Sequence, residues 1–497
     1  MTHANSPHRL IVVSNRLPVV LKRNGDEWSF KPGSGGLVGA LAPVLRNRGG
    51  IWIGWPGIVE GEIPLLTGLL EQATRDSGYT LKPVTFSPTD RDHFYHGFSN
   101  EVIWPLFHDL QSHCNFEPRY WDAYQSVNRR FAQVITDNAR ADDFIWVHDY
   151  QLMNVGRELR ALGMHARIGF FLHIPFPPLD IYMKLPWRFP LLRALLEYDL
   201  IGFQTLRDRR NFLQCLRLIA PELSISGKGQ VVTVRAGSRE VRVGTFPIGI
   251  DFREFAREGK SEIVMRKAAL LHKDLPGRQV LLGVDRLDYT KGICHRFEAF
   301  RNALQRFPEL HHRVTLIQVV VPSREDIPKY HALKMDLERL VGEINGQFTQ
   351  SGWVPIHYIF RSLGRTELLA YYRACEIALI TPLKDGMNLV CKEFCAASSE
   401  RDSVLILSEF AGAVAQLQKG ALLVNPYNVE EVAEAILRAV QMPSDERRAR
   451  MHKLRRSVRE YDIFWWVDAF LQAAIAKDLR DFSMPEEYVP HTESISL

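Results

Sequence analysis

Short, continuously apolar runs rich in β-branched and aromatic residues recur along the chain, and helical patterns repeatedly follow them. The runs include Leu10–Ser14, Phe144–Val147, Ile168–Leu172, Val280–Val284, Val314–Val320, Ile377–Ile380 and Val404–Leu407, with amphipathic stretches such as Leu152–Leu162 and Glu367–Ala374 between them. A strand that is apolar on both faces needs cover on both, which calls for a parallel sheet with helices above and below. There are too many such units for one sheet, and 497 residues exceed a single core. The pattern predicts an α/β protein with two doubly wound domains.

The segment Phe246-Pro247-Ile248-Gly249-Ile250-Asp251 is the candidate boundary, because it separates a polar, hairpin-like region (Gly227–Val243) from the charged helical stretch Arg253–Lys273. Domains are therefore expected at 1–246 and 247–460. Near the end of the second, a basic helical stretch through Arg459 reads as a solvated helix face. Ile463-Phe464-Trp465-Trp466-Val467 then starts an apolar helix, assigned to 461–480, that must pack on something, and 481–497 reads as a tail.

Bulk properties exclude several classes. Sixty-two basic against 57 acidic side chains give a net charge of +5, far from the clustered basicity of a nucleic-acid binder. The polar start lacks the layout of a secretory signal, and no run approaches the roughly 18 apolar residues that span a bilayer. The six cysteines show neither disulfide nor zinc spacing, and Cys391 and Cys395, four apart, share one helix face. The chain reads as a reduced, cytoplasmic protein with no membrane or nucleic-acid partner. Asp90-Arg91-Asp92 has the D-x-D form used for divalent cations beside sugar nucleotides, but it sits at no strand end, and such triplets arise by chance. No metal and no cofactor are expected.

Four constellations at strand ends carry chemistry. Gly33-Ser34-Gly35-Gly36-Leu37-Val38-Gly39 runs into the helical stretch Leu37–Leu45, offering bare amides and a positive helix end to a phosphate. A nicotinamide-dinucleotide fingerprint needs the turn directly after the strand and a glycine where Val38 stands, so a dehydrogenase is disfavoured; a plain turn remains open. After Val280–Val284 comes Asp285-Arg286-Leu287-Asp288-Tyr289-Thr290-Lys291-Gly292. Arg286 and Lys291 there can neutralise a leaving diphosphate without a metal, or Arg286 can simply pair with Asp285 or Asp288. After Ile377–Ile380, Lys384-Asp385-Gly386-Met387-Asn388-Leu389-Val390 leads into a helix carrying Glu393. Its amides suit sugar hydroxyls or phosphate, Asp385 and Glu393 suit hydroxyls, and the bland alternative is a turn. His148-Asp149-Tyr150 and His173-Ile174-Pro175 also follow strands, and two strand-end histidines in one domain favour a site over core packing.

Taken together with Val12-Val13-Ser14-Asn15-Arg16, Trp52-Ile53-Gly54-Trp55, Phe98-Ser99-Asn100, Trp104-Pro105 and Leu407-Ser408-Glu409-Phe410-Ala411-Gly412, these motifs make the chain resemble the trehalose-6-phosphate synthase family of retaining glycosyltransferases. The resemblance runs from about Leu10 to about Leu479. It implies the GT-B fold, two Rossmann-like domains facing across a cleft, with a last helix crossing back to the N-terminal domain and giving Phe464–Phe470 a packing partner. It implies transfer of glucose, with retention, from a nucleotide-glucose, UDP-glucose foremost, to glucose 6-phosphate.

Residue by residue, the resemblance assigns the donor diphosphate to Arg286 and Lys291, helped by the backbones of Gly36 and Leu389. Asp385, Met387 and Asn388 would hold the donor glucose, with His173 near its 6-hydroxyl, and Glu393 would hold the ribose. Arg16, Trp55, Tyr95, Trp104, Asp149 and Arg324 would bind the acceptor. His173, Asp149, Arg286, Lys291 and Asp385 would form the catalytic set, with the two former positioning sugars and no carboxylate nucleophile.

The stretch Phe360-Arg361-Ser362-Leu363-Gly364-Arg365 departs from the best-known bacterial members, which carry an aromatic at Leu363. That departure leaves UDP, GDP and ADP open on the base side. No phosphatase motif follows the synthase region, so a separate trehalose-6-phosphate phosphatase is expected in a compatible-solute pathway, and the chain is expected to be a homo-oligomer. Two rivals are weighed. Relatives that glucosylate glycerol 3-phosphate lack the cation matching Arg324, and silent regulatory subunits lose clamp residues that are present here.

Overall fold

The computed structural model describes residues 9–24, 27–33, 36–59, 66–324, 327–398, 402–476, 479, 482 and 485–490. The chain forms two compact units, 1–246 with 466–485, and 247–465 with 486–497.

The strands of the first unit are β1 (Leu10–Arg16), β2 (Val19–Asn24), β3 (Glu27–Pro32), β4 (Gly50–Trp55), β5 (Thr80–Pro83), β6 (Phe144–His148), β7 (Arg167–Phe171), β8 (Leu200–Phe203), β9 (Ser224–Ser226), β10 (Val231–Ala236) and β11 (Arg239–Thr245). Among the described residues its main sheet runs β5-β4-β1-β6-β7-β8-β11-β10-β9, with β2 and β3 forming a separate hairpin. Pairing is parallel except for β10 and β9, the polar hairpin region. The strand order reverses between β1 and β6. At that point the connections leave in opposite directions and open a crevice beyond the strands' carboxyl ends. Ser14-Asn15-Arg16 and His148-Asp149-Tyr150 occupy those ends.

In the second unit, β12 (Gln279–Arg286), β13 (Val314–Val321), β14 (Ile356–Phe360), β15 (Ile377–Ile380), β16 (Val404–Ser408) and β17 (Leu422–Val424) form a parallel sheet in the order β14-β13-β12-β15-β16-β17. This is the nucleotide-binding order of doubly wound folds, with its reversal between β12 and β15. Sequence explains the burial: Val314–Val320 is buried throughout and carries helices on both sides. The Arg286–Gly292 and Lys384–Leu389 loops leave the two strands flanking the reversal, so the fold itself brings them together.

The helix Ile463–Ile475 begins in the second unit, and from Trp466 on it belongs to the first. Trp466 and Phe470 stack on Trp146 at 4.8 and 4.4 Å between ring centres. Gly169 on β7 and Gly202 on β8 form the slot for Phe470, since a Cβ there would come within 2.8 and 2.7 Å of its ring. The expectation that Phe464–Phe470 packs as a run needs correction. Helical periodicity turns Ile463, Trp466, Val467 and Phe470 inward and leaves Phe464 39% exposed. The 481–497 tail is likewise only partly one, because Glu486 pairs with Lys419 and the Tyr488 hydroxyl donates to Glu409 at 3.0 Å. Phe470→Ala, which empties a slot that glycines cannot refill, is expected to cost about 3–5 kcal/mol, read as a lowered denaturation midpoint.

No helix among the described residues is long and apolar enough to cross a membrane.

Candidate active site

The end of β1 is fixed by its own motif. Trp52 Nε1 donates to Ser14 Oγ at 2.8 Å, and that hydroxyl donates to the Arg16 carbonyl at 2.6 Å. The Arg16 side chain then lies over the Trp55 ring at 4.0 Å and near Tyr95 at 5.6 Å. Aromatic faces hold a guanidinium by cation–π attraction while leaving its N–H groups to an anion. Trp55 also stacks on Phe86 at 4.5 Å, which anchors it in the core.

Tyr95 lies on a π-helix, Arg91–Ile103, that runs into the short helix beginning at Trp104. Wide turns of this kind are uncommon and frequently serve functional sites. Asn100 braces this one: its amide donates to the Tyr95 carbonyl at 2.7 Å, and its Oδ1 accepts from the Tyr150 hydroxyl at 2.9 Å. Tyr150 in turn packs on Trp104. The side chain of Asp149 accepts from the His173 backbone N–H at 3.2 Å. His173 Nε2 lies 3.1 Å from His148 Nδ1, and its Nδ1 lies 3.4 Å from the Gln204 amide. Burial depresses both histidines, His173 to about 3, and His173 depresses His148 further. Both rings are therefore neutral.

Gly36 begins the helix Gly36–Arg48, while Ser34 and Gly35 lie outside the described residues. Asp90 is committed to structure. It accepts from the Ser87 N–H and hydroxyl, closing a capping box at the start of the short helix Pro88–Asp90, and pairs with Arg130 at 2.7 Å. Cys391 and Cys395 are both buried on one helix.

In the second unit, Lys291 Nζ sits 2.6 Å from Asp385 Oδ2, and the Asn388 amide donates to the same oxygen at 3.2 Å. Asn388 Oδ1 caps the helix Leu389–Ala397 through the Cys391 N–H. Glu393 accepts from the Tyr372 hydroxyl at 2.8 Å, and burial raises its carboxyl above the usual range. The open alternative for Arg286 now resolves in part: Asp285 is taken by Arg296, a buried guanidinium that also donates to Gln318 and to Thr381 at 3.0 Å. Arg324 lies 3.5 Å from Asp288.

The backbone marks the same places. Five non-glycine residues among those described have positive φ, and three of them are Asp149 (76°), Arg324 (52°) and Asn388 (82°). Such conformations cost roughly 1–3 kcal/mol each and persist where the surroundings over-determine them, typically at sites.

Sequence reasoning named Asn100 and Asp288 within motifs but not as braces, and it missed the braces Gln204, Arg296 and Tyr372. It also quoted Ser408-Glu409-Phe410-Ala411-Gly412 without a role. That segment supports the loop of residues 385–388, with the Asp385 N–H donating to the Phe410 carbonyl, Gly412 to Asp385 and Ala413 to Met387 at 2.9–3.2 Å. A Cβ on Gly412 would overlap the Gly386 carbonyl oxygen. Gly412→Ala is expected to displace residues 385–388 and lower kcat/KM for the donor by about tenfold or more, measured with the circular dichroism spectrum unchanged.

Residues 8–476 match the model of glycosyltransferase family 20. The chain is 42% identical over 482 residues to the trehalose-6-phosphate synthase of Mycobacterium sp. (strain KMS), covering 95% of this chain and 97% of that one. It is similar to the UDP-forming α,α-trehalose-phosphate synthase of Burkholderia xenovorans in complex with glucose 6-phosphate, with a TM-score of 0.84, 35% identity, and 94% and 99% of the two chains covered. The corresponding E. coli protein bound with UDP-2-fluoro glucose gives a TM-score of 0.84 at 36% identity, covering 94% and 98%. The two parallel α/β sheets are of the GT-B type those structures share.

Proposed function

The chain belongs to glycosyltransferase family 20, among its trehalose-6-phosphate synthases, and from that premise we propose how its own residues carry out the transfer. Glucose passes from UDP-glucose to glucose 6-phosphate with its anomeric configuration retained, giving trehalose 6-phosphate, UDP and a proton. Arg286 and Lys291 grip the diphosphate, with the Gly36 and Leu389 amides beside it. Asp385, Met387 and Asn388 hold the donor glucose, His173 faces its 6-hydroxyl and Glu393 takes the ribose. Arg16 and Arg324 bind the acceptor phosphate, with Trp55, Tyr95, Trp104 and Asp149 around its sugar.

The observation that supports this reading best is the placement of the clamp. Arg286 ends β12 and Lys291 follows it, Asp385–Glu393 follow β15, and those strands flank the reversal of the parallel sheet. As the sugar–phosphate bond lengthens, negative charge grows on the diphosphate, and cations fixed there stabilise the transition state more than the ground state. The leaving phosphate accepts the acceptor's hydroxyl proton on the face it departs from, so no carboxylate nucleophile takes part. His173, neutral through burial, and Asp149 orient sugars. Within this proposal the reaction takes place in the cytoplasm and the chain acts as a homo-oligomer.

The test is direct. Purified protein given UDP-glucose and glucose 6-phosphate should release UDP and form trehalose 6-phosphate, and it should not turn over with glycerol 3-phosphate. Absence of product with glucose 6-phosphate, or a trapped covalent glycosyl-enzyme, would overturn the reading.

A further inference from the structure

Asp288 follows β12 between the two clamp cations and is 2% exposed. Its Oδ1 accepts from the Thr290 N–H at 3.0 Å and from the Thr290 hydroxyl at 2.9 Å, which fixes the plane of the carboxylate. Its Oδ2 is left facing Arg324 Nη1 at 3.5 Å. The same Nη1 donates to the Tyr330 hydroxyl at 2.5 Å, and Tyr330 is itself buried against Tyr289. Arg324 thus has a side chain seated by two buried groups on a backbone in the left-handed region.

We propose that Asp288 is a positioning residue that holds Arg324 in place for the acceptor's phosphate. The inference rests on the acceptor role given to Arg324 above. Burial by itself would push the Asp288 carboxyl up, but Arg324 first, then Arg286 and Lys291, hold it below its usual range, so all three charges reach it. A charged group this buried needs paired charge and hydrogen bonds, and Asp288 has both. The preorganised guanidinium then meets the phosphate without a search of its own. Asp288 acts through Arg324 and has too little exposed surface to touch the sugar phosphate.

Asp288→Asn separates this role from a loop-capping one. The amide oxygen can still accept from Thr290, while the side facing Arg324 loses its charge and becomes an N–H donor. The expected result is an acceptor KM raised by about tenfold or more, with donor KM and kcat within about threefold. In an Arg324→Lys background the same change should add less than about twofold, because the two residues act as one unit. An unmoved acceptor KM, an equal loss on donor and acceptor, or full additivity with Arg324→Lys would each overturn the proposal. Should Asp288→Asn fail to fold, Tyr330→Phe decides: a raised acceptor KM at constant donor KM supports the proposal, and no change overturns it. Arg324→Ala tells the two levels apart. An unchanged acceptor KM there removes the premise and the proposal with it, whereas a raised one beside a silent Asp288→Asn overturns the proposal alone.

Discussion

Arg286→Ala is expected to lower kcat by about two to three orders of magnitude while leaving nucleotide affinity within about tenfold, in line with losing one donor to developing charge. Arg286 is the last residue of β12 and is exposed at its end. A planar guanidinium there can take two oxygens of a diphosphate at once, which a lysine cannot reproduce; Arg286→Lys should therefore recover only a fraction of the loss. Lys291→Ala should behave differently. Lys291 shares Asp385 with Asn388, so its removal leaves a largely buried carboxylate without that cation. Donor KM should rise together with the fall in kcat. Steady-state kinetics with each substrate varied, beside calorimetric UDP binding, distinguish the two. A loss for Arg286→Ala confined to donor KM would place that residue in ground-state binding and remove it from the chemistry.

The contrast between those two cations also shows what a sequence can and cannot disclose. Continuous apolar runs such as Val314–Val320 can only be doubly covered strands, so both sheets and the loops at their ends were legible, and with them most of the candidate site. Pairing was not. The segment Asp285-Arg286-Leu287-Asp288 offers Arg286 two nearby carboxylates, yet Asp285 pairs with a residue 11 positions on, and Asp288 faces one 36 positions on. Burial decides this: a carboxylate enclosed by the sheet needs a cation from a neighbouring element, and sequence proximity gives no guide to which one. The π-helix of Tyr95 was equally hidden, because a widened turn depends on what its side chains must reach and not on helix propensity. Positive φ at Arg324 has no signature in residue type either, whereas aspartate at 149 and asparagine at 388 are at least types in which it is less rare.

Acidification from pH 7.5 to pH 5 is expected to destabilise the protein by about 2 kcal/mol through His173, with His148 adding in the same direction. Burial is the main cause of the depressed value at both rings, and the neighbouring imidazole adds to it at His148. The unfolded chain takes up protons near the ordinary value of 6.5, while folded His173 resists until about 3. The stability is therefore complete above 6.5 and is lost as pH falls from there toward 3. Geometry gives the same sign. His148 Nδ1 and His173 Nε2 are 3.1 Å apart, a separation that suits one proton between two nitrogens; a second proton would set two donors face to face. Thermal unfolding followed across this range should show the midpoint falling below pH 6.5, and His148→Asn or His173→Asn should flatten the slope while lowering the plateau. Against a total stability of roughly 5–15 kcal/mol, a loss of this size would be plain. An unfolding midpoint that stays level down to pH 5 would mean that the pair is protonated in the folded protein, and His173 would then meet the donor sugar as a cation.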